Sequence, residues 1–419
     1  MSSDQPYFYR GSRAAIDIAV EDTRVICLKG PRQCGKTTLT KALSPEREFI
    51  TLDDPTQLAL AKKDPLGFIH QRERFCTIDE IQRAPELVRC IKLVVDEQPR
   101  TFGRYLITGS ADIFKLKEVE DSLAGRVQTI DLAPFTEEER EQSQVNFLEN
   151  LITGKLDLSP RPVPKDEGSL SLPDRIVQGG YPEPILGGVR RIQRWHREYL
   201  KAIISRDVKD ISDIRREKEV FLIFKLLTTR TAELVNFSSI SRDSGLHRET
   251  VSSYLKILDK LFLVRELEAW HQNPAKRLIR SPKFHIVDSG LAASFLNLKA
   301  SDWMTRRDQM GHLLETFVVN QLIAQKDWFE NDLIFTHYRD KDKNEVDLII
   351  ENYDQVWAIE VKASMSVTHS DLKALIKFAD LCGSRFVKGI IFYQGESIIQ
   401  MADHRILAVP FHLLWQKTS

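Results

Sequence analysis

The stretch VICLKGPRQCGKTTL, Val25 to Leu39, constrains this chain more than any other. It reads as a short strand (Val25–Leu28), a loop bounded by glycines, and the first turn of a helix. Gly30, Pro31, Arg32, Gln33, Cys34, Gly35, Lys36 and Thr37 fit the pattern GxxxxGK[ST] without a mismatch, and Thr38 follows. The chemistry needs that spacing. The glycines let the backbone curl so that successive N–H groups point inward at phosphate oxygens, at the positive end of the following helix. Lys36 can then reach the β- and γ-phosphates, while the Thr37 hydroxyl can take one coordination position on Mg²⁺. The plain alternative is a glycine-rich turn with a surface lysine.

Through residue 140, apolar strand-like runs alternate with helical patterns. Strands are expected at Phe49–Leu52, Phe75–Ile78, Arg104–Thr108 and Val127–Leu132. Helices are expected at Lys36–Leu43 and at Pro85–Val95, where Leu87, Val88, Ile91, Val94 and Val95 keep amphipathic spacing. Such alternation implies an α/β unit whose parallel sheet is covered on both faces. Phe75–Ile78 ends in Asp79-Glu80, about forty residues beyond the phosphate loop. A carboxylate ending a buried strand next to the loop's own strand can hold Mg²⁺, usually through water. Glu80 is then positioned to orient the attacking water. The alternative is a strand ending in two solvated acids. Ser110, closing YLITGS, either senses the γ-phosphate or forms a Gly-Ser turn. Arg126, in SLAGRV, either stabilises charge, in cis or on a neighbouring subunit of a homo-oligomer, or ends a capped helix.

GPRQCGKTTL, TIDEIQRAP, YLITGS and SLAGR resemble the corresponding blocks of a large prokaryotic family of AAA-superfamily ATPases. In that family the P-loop domain is followed by a winged helix and a restriction-endonuclease-like domain. The resemblance implies ATP rather than GTP as the nucleotide. The residues themselves carry no base-recognition motif that settles adenine.

At 419 residues the chain is too long for one hydrophobic core, and roughly two to four domains are expected. Sixty Lys and Arg balance sixty Asp and Glu, so any nucleic-acid surface must be a local patch. Cys27, Cys34, Cys76, Cys90 and Cys382 show no CxxC or ligand-like spacing, which argues for reduced thiols. The start MSSDQPYFYR has no apolar signal region, and no uninterrupted apolar run reaches membrane-spanning length. A cytoplasmic protein with no membrane partner is expected.

Residues 141–172, containing LSPRPVPKDEGSLSLP, read as a linker or surface excursion. GGYPEP (Gly179–Pro184) then makes a turn-rich entry to a long helical pattern through Trp195, Tyr199 and Ile203. Neither GGYPEP nor the following RDV (Arg206–Val208) receives a chemical role, although Arg206 could pair with a phosphate or with Asp210. From Val235, a helix at Phe237–Asp243, a turn at Gly245, a second helix from about His247 to Leu261 and a strand at Phe262–Leu267 have the sequence form of a winged helix-turn-helix. Its second helix would expose His247, Arg248, Thr250, Ser253 and Lys256 and bury Val251, Tyr254, Leu255 and Leu258. Between Arg230 and Lys283 ten Lys and Arg face six Asp and Glu, a local excess of +4. That excess suits salt-sensitive phosphate contact, so DNA is the expected partner. The alternative is a winged helix used for domain packing.

In the last third, GHLLETFVVNQLI (Gly311–Ile323) is an amphipathic helix carrying Glu315. EVDLII (Glu345–Ile350) and VWAIEVKAS (Val356–Ser364) follow as two strands. Asp347 lies in the first; Glu360 and Lys362 share a face of the second. In this order they form the PD-(D/E)xK constellation of restriction-like nucleases, with Val346-Asp347 in place of the nominal Pro-Asp. EVDLII and AIEVKAS also match the family's pattern. Glu315, Asp347 and Glu360 would gather one or two Mg²⁺, and Lys362 would orient the nucleophile or stabilise charge. Domains of this kind also keep such residues for binding alone.

The expected architecture is therefore α/β. It comprises a P-loop NTPase parallel-sheet domain (1–140), the excursion (141–172), a helical middle with a winged helix at about 230–285 (173–285), and an α/β PD-(D/E)xK nuclease-like domain (286–419). The expected function is an ATP-hydrolysing, Mg²⁺-requiring protein acting on DNA. The rival is an ATP-switched regulator that binds DNA or protein without cleaving. A small-molecule kinase would need an acceptor-binding lid that the sequence does not show.

Overall fold

The computed structural model describes residues 7–43, 47–72, 75–98, 100–110, 123–187, 192–211, 216–273, 277 and 281–417, the side chains of 186 and 206–211 excepted. The Arg206–Asp210 pairing considered above lies outside the described side chains.

Strands β1 (Val25–Lys29), β2 (Glu48–Thr51), β3 (Cys76–Asp79), β4 (Tyr105–Gly109) and β5 (Val127–Asp131) form an all-parallel sheet in the order β2-β3-β4-β1-β5. The pleat of β1 explains the three layers, because alternate side chains leave on opposite faces. Val25 and Cys27 pack with Leu87, Val88 and Ile91 of the helix Glu86–Glu97. Ile26 and Leu28 pack with Ile16 and Ala19 of the helix Ser12–Asp22 and with Leu39. One expectation is corrected here. The strand bearing Asp79 is not the neighbour of the phosphate-loop strand, since β4 lies between them. Strand order is set by long-range pairing, which a local run of residues does not encode. The consequence is functional: Ser110, just past β4, stands between the loop and Glu80.

The excursion is less free than its composition implies. Most of residues 155–171 are exposed, yet β6 (Arg161–Pro162) pairs with a strand near the C-terminus, and His412 hydrogen-bonds the Val163 carbonyl at 2.8 Å. The middle of the chain is helical: Leu172–Gln178, Pro182–Gly187, Ile192–Ile211, Glu217–Thr228, Phe237–Ser244 and Arg248–Lys260. Gly245, at φ 70°, closes the helix before it and allows the sharp turn into Arg248–Lys260. That last helix buries Val251, Tyr254, Leu255 and Leu258, and leaves His247, Arg248, Ser253 and Lys256 exposed with Thr250 half-buried. A small antiparallel sheet follows it, ordered β7-β9-β8, from β7 (Glu233–Leu234), β8 (Val264–Leu267) and β9 (Lys283–Ile286).

The remaining strands are β10 (Ile334–Arg339), β11 (Glu345–Asn352), β12 (Gln355–Val361), β13 (Phe386–Tyr393), β14 (Ser397–Gln400) and β15 (Ile406–Pro410). With β6 they build a mixed sheet in the order β10-β11-β12-β13-β15-β14-β6. The helix His369–Cys382 covers one face through Leu372, Leu375 and Phe378. The helix Arg307–Ala324 packs on the other, where Phe317 and Val318 meet the core containing Leu348, Trp357 and Ile359. That core is continuous with Leu255 and Leu258 of the middle region. One buried apolar cluster therefore joins the small sheet to the C-terminal one.

Candidate functional sites

The phosphate loop depends on close approach. At Gly30 a Cβ would meet the Leu132 carbonyl oxygen at 2.1 Å, and Gly35 has φ +105°. Both positions therefore demand glycine. The ammonium of Lys36 donates to the carbonyls of Gly30 (2.9 Å) and Pro31 (2.8 Å), folded over its own loop. The Thr37 hydroxyl donates to Asp79 Oδ2 at 3.0 Å, and Thr108 donates to Asp79 Oδ1 at 2.5 Å. Burial pushes the Asp79 carboxyl above its ordinary pKa, while those two hydroxyls pull the other way.

Glu80 adopts a left-handed backbone, φ 60°, a conformation that costs a non-glycine residue free energy and gathers at functional sites. Its carboxylate accepts from the Ser110 hydroxyl (2.9 Å) and from the Gln82 amide, which also donates to Ser110 at 2.8 Å. Gln82 is a site residue that the sequence reading missed, although it stands two positions after Glu80. Arg10 is another. Its guanidinium donates to the Cys34 carbonyl (2.7 Å), the Ala133 carbonyl (2.7 Å) and Glu139 (2.9 Å), clamping the loop from behind. No local motif marks it.

GGYPEP now acquires a role. A Cβ at Gly179 would meet the Asp288 carboxylate at 2.3 Å, and one at Gly180 would meet the Phe135 carbonyl at 2.2 Å. This crossing buries Tyr181, whose hydroxyl donates to Tyr199 (3.1 Å). Tyr199 in turn donates to the Arg32 carbonyl of the phosphate loop at 3.1 Å. The helix Ile192–Ile211 is thereby fastened to the loop. Between them opens a cavity of about 990 Å³, lined by Lys36, Thr37, Thr38 and Glu80 on one side and Trp195 and Tyr199 on the other. A hydroxyl and a carboxylate that converge beside a lysine, at the mouth of a cavity this large, fit a magnesium-bound nucleotide.

Arg126 stands apart. The backbone N–H of Val25 donates to the Arg126 carbonyl, which fixes Arg126 at the start of β5 and at the edge of the sheet opposite the phosphate loop. One five-residue strand separates the two edges, about 16 Å at the usual rise. An action in cis on the same chain's nucleotide is thereby excluded. The half-buried guanidinium instead holds Asp96 through Nε (2.5 Å) and Nη2 (2.9 Å).

The second candidate site lies at the C-terminal sheet. Opposite Thr336 to Tyr338, β11 carries one extra residue, a bulge that re-aims the chain at Asp347. Glu315, Glu345, Asp347, Glu360 and Lys362 line one cleft of about 530 Å³, together with Glu233 of β7. Lys362 donates to Glu360 Oε1 at 2.7 Å, and the backbone N–H of Val361 donates to Asp347 Oδ2 at 2.9 Å. Burial, then the charge of Asp347, lifts the Glu360 carboxyl to about 8 and Glu315 well above the ordinary range.

The sequence reading did not anticipate Lys283. Its ammonium, from β9, donates to Glu315 Oε1 at 2.7 Å, pairs with Glu345 and lies 3.6 Å from Asp347 Oδ1. The expectation that Glu315, Asp347 and Glu360 together gather metal is corrected accordingly: an ammonium stands between Glu315 and Asp347. Among the described residues no group of three or more His, Cys, Asp or Glu is arranged to hold a metal ion. The donor chemistry nevertheless suits a hard divalent cation on the Asp347–Glu360 side, where buried Glu360 Oε2 has no hydrogen-bond partner among the described residues. The Glu315 side does not fit one while Lys283 is seated.

Comparison with known proteins divides the chain in three. Residues 22–141 match the family model of the AAA domain, residues 169–302 a domain of unknown function (DUF8612), and residues 310–414 another (DUF4143). Residues 22–141 form an AAA-type P-loop ATPase-like domain. Over 410 residues the chain is 28% identical to the uncharacterized protein Rv2008c of Mycobacterium tuberculosis, spanning 96% of this chain and 83% of that one. It is 24% identical to the uncharacterized protein MJ1544 of Methanocaldococcus jannaschii, covering 94% and 89% of the two. Among solved structures, the Walker-type ATPase PABY2304 of Pyrococcus abyssi aligns with a TM-score of 0.42 at 16% identity, over 69% of this chain and 96% of that one. Among the described residues no helix is long and apolar enough to cross a membrane.

Proposed function

We propose that this chain binds and hydrolyses ATP and uses the cycle to act on DNA. The observation that carries the ATPase part is the two hydrogen bonds Thr37–Asp79 and Ser110–Glu80, whose Thr37 and Glu80 line one cavity. Magnesium nucleotide, when bound, supplies the scissile phosphate bond and neutralises its charge. Lys36 exchanges the Gly30 and Pro31 carbonyls for phosphate oxygens. Thr37 and Asp79 would hold the metal side, and Glu80, steadied by Ser110 and Gln82, would orient the water. Arg126 serves a neighbouring copy in a homo-oligomer.

DNA action is read from the middle and C-terminal regions. The helix Arg248–Lys260 presents His247, Arg248, Ser253 and Lys256 to solvent beside a small antiparallel sheet, the layout of a winged helix. The cleft of Asp347, Glu360 and Lys362 has the residues of a PD-(D/E)xK nuclease, and there Asp347 and Glu360 would hold Mg²⁺ that activates water for phosphodiester cleavage. A second reading is favoured by Lys283: with an ammonium seated among the carboxylates, the C-terminal region binds DNA or a protein partner without cutting. The test is labelled duplex, single-stranded and branched DNA, with ATP and divalent metal varied independently. Loss of nicking in Lys362→Ala supports the nuclease; identical products from both proteins reject it.

A further inference from the structure

Lys283 is not a surface lysine that happens to reach an acid. It sits on the middle strand of the small sheet, with Leu234 of β7 and Leu267 of β8 as its backbone neighbours, and its side chain is 1% exposed. Burial opposes its charge, but Glu315, Asp347 and Glu345 outweigh that cost and hold the ammonium protonated. Asp347 Oδ2 accepts from the Val361 N–H, and the Lys283 ammonium stands 3.6 Å from Oδ1 as an ion pair. Glu360 Oε2 is buried with no hydrogen-bond partner among the described residues, and Glu360 lines the cleft. A divalent cation approaching Asp347 and Glu360 therefore meets a resident ammonium beside the Asp347 oxygen that it needs.

We propose that Lys283 is the resident cation of this cleft, an ammonium that must leave Asp347 and Glu315 before a divalent metal can be held there by Asp347 and Glu360. This rests on the reading of the cleft as a cation site. A metal on Asp347 Oδ1 would be repelled at close range by a seated Lys283, so the ammonium and a metal compete for this side of the cleft. A withdrawn Lys283 would leave a buried charge uncompensated unless β9 moves with it. Metal entry is thus tied to the position of the small sheet, which adjoins the helix Arg248–Lys260. The cleft stays closed to metal until that unit shifts.

The experiment is a Mn²⁺ titration of the full chain, followed by the electron-spin resonance of free Mn²⁺. An Asp79→Asn background silences the phosphate-loop site. Lys283→Met should bind Mn²⁺ at least about tenfold tighter than the lysine-bearing protein, because one repelling charge is gone. Lys283→Arg, which keeps the cation, should stay weak. Thermal unfolding supplies a second readout: Mn²⁺ should raise the Tm of Lys283→Met and leave that of Lys283→Arg unchanged. If Lys283→Met does not fold, Lys283→Met with Glu315→Gln removes the pair together, and it too should bind more tightly than the lysine-bearing protein. Equal Mn²⁺ affinity with and without Lys283 would overturn the inference alone. No Mn²⁺ binding in any of these proteins would overturn it together with the cation reading of the cleft.

Discussion

The two candidate sites both pair carboxylates with lysine, yet they are built in opposite ways. In the phosphate loop, Lys36 rests on two backbone carbonyls of its own turn, and its partners can be exchanged for phosphate at little cost. Asp79 is held by neutral hydroxyls from Thr37 and Thr108. In the C-terminal cleft the acids already have cationic partners, Lys362 on Glu360 and Lys283, from another sheet, on Glu315. The first arrangement is poised for an anionic ligand. The second holds its own cation and admits another only by rearrangement. Charge balance within the free protein thus separates a site that is ready from one that is closed.

The largest effect that would sharpen this contrast is at the ready site. Glu80→Gln should retain nucleotide while its turnover falls by about 10²–10⁴, the usual worth of a positioned general base. Lys36→Ala should abolish nucleotide binding measured by fluorescent-nucleotide titration. At the closed site, Lys283→Met should destabilise the protein by about 3–5 kcal/mol in urea unfolding, because it leaves buried carboxylates without their counter-ion. A change within experimental error would show that the cleft is not held shut by that pair.

A smaller effect is expected where the two halves meet. Tyr199→Phe removes the hydroxyl that donates to the Arg32 carbonyl and should cost about 1 kcal/mol, read as a shifted urea midpoint and weaker nucleotide binding. An unchanged nucleotide affinity would show that the helix does not support the loop.

The pH response should also differ in sign. Burial holds His196, on that same helix, at about 3 instead of 6.5, so the unfolded chain binds the extra proton between those values. Stability from this group is therefore complete above 6.5 and is lost as pH falls toward 3. Glu360 is raised from 4.5 to about 8, so here the folded chain keeps the extra proton, and stability is lost as pH rises through that window. Urea midpoints across pH should show a flatter acid limb in His196→Gln and a flatter alkaline limb in Glu360→Gln. The smallest effect belongs to Arg126: Arg126→Ala should leave the fold of the monomer unchanged, and lowered ATPase only in an oligomer would place it on a neighbouring copy.

What the sequence could and could not announce follows from the same contrast. Gly30 to Thr38 form one continuous segment, so their chemistry is written in adjacent letters, and Asp79-Glu80 was found because a buried strand ends there. The interposed strand β4, the remoteness of Arg126 from the loop and the pairing of β6 with β14 depend on long-range strand order, which no local pattern carries. Glu315, Asp347, Glu360 and Lys362 were legible because their residue types and spacing form a pattern. Lys283 was not, since a lone lysine in a short strand looks like a solvated one until the partners brought over it by folding are known. Arg10 carries no local signal and Tyr199 reads only as part of a helical pattern, for the same reason: each acts on the phosphate loop's backbone carbonyls, which have no sequence signature.

The most direct test of the whole scheme is steady-state ATP hydrolysis by the full chain and by Glu80→Gln, each with and without DNA. Wild-type turnover that rises with DNA, set against a variant that binds nucleotide but barely hydrolyses it, is the predicted result. Equal hydrolysis by the two proteins would contradict it.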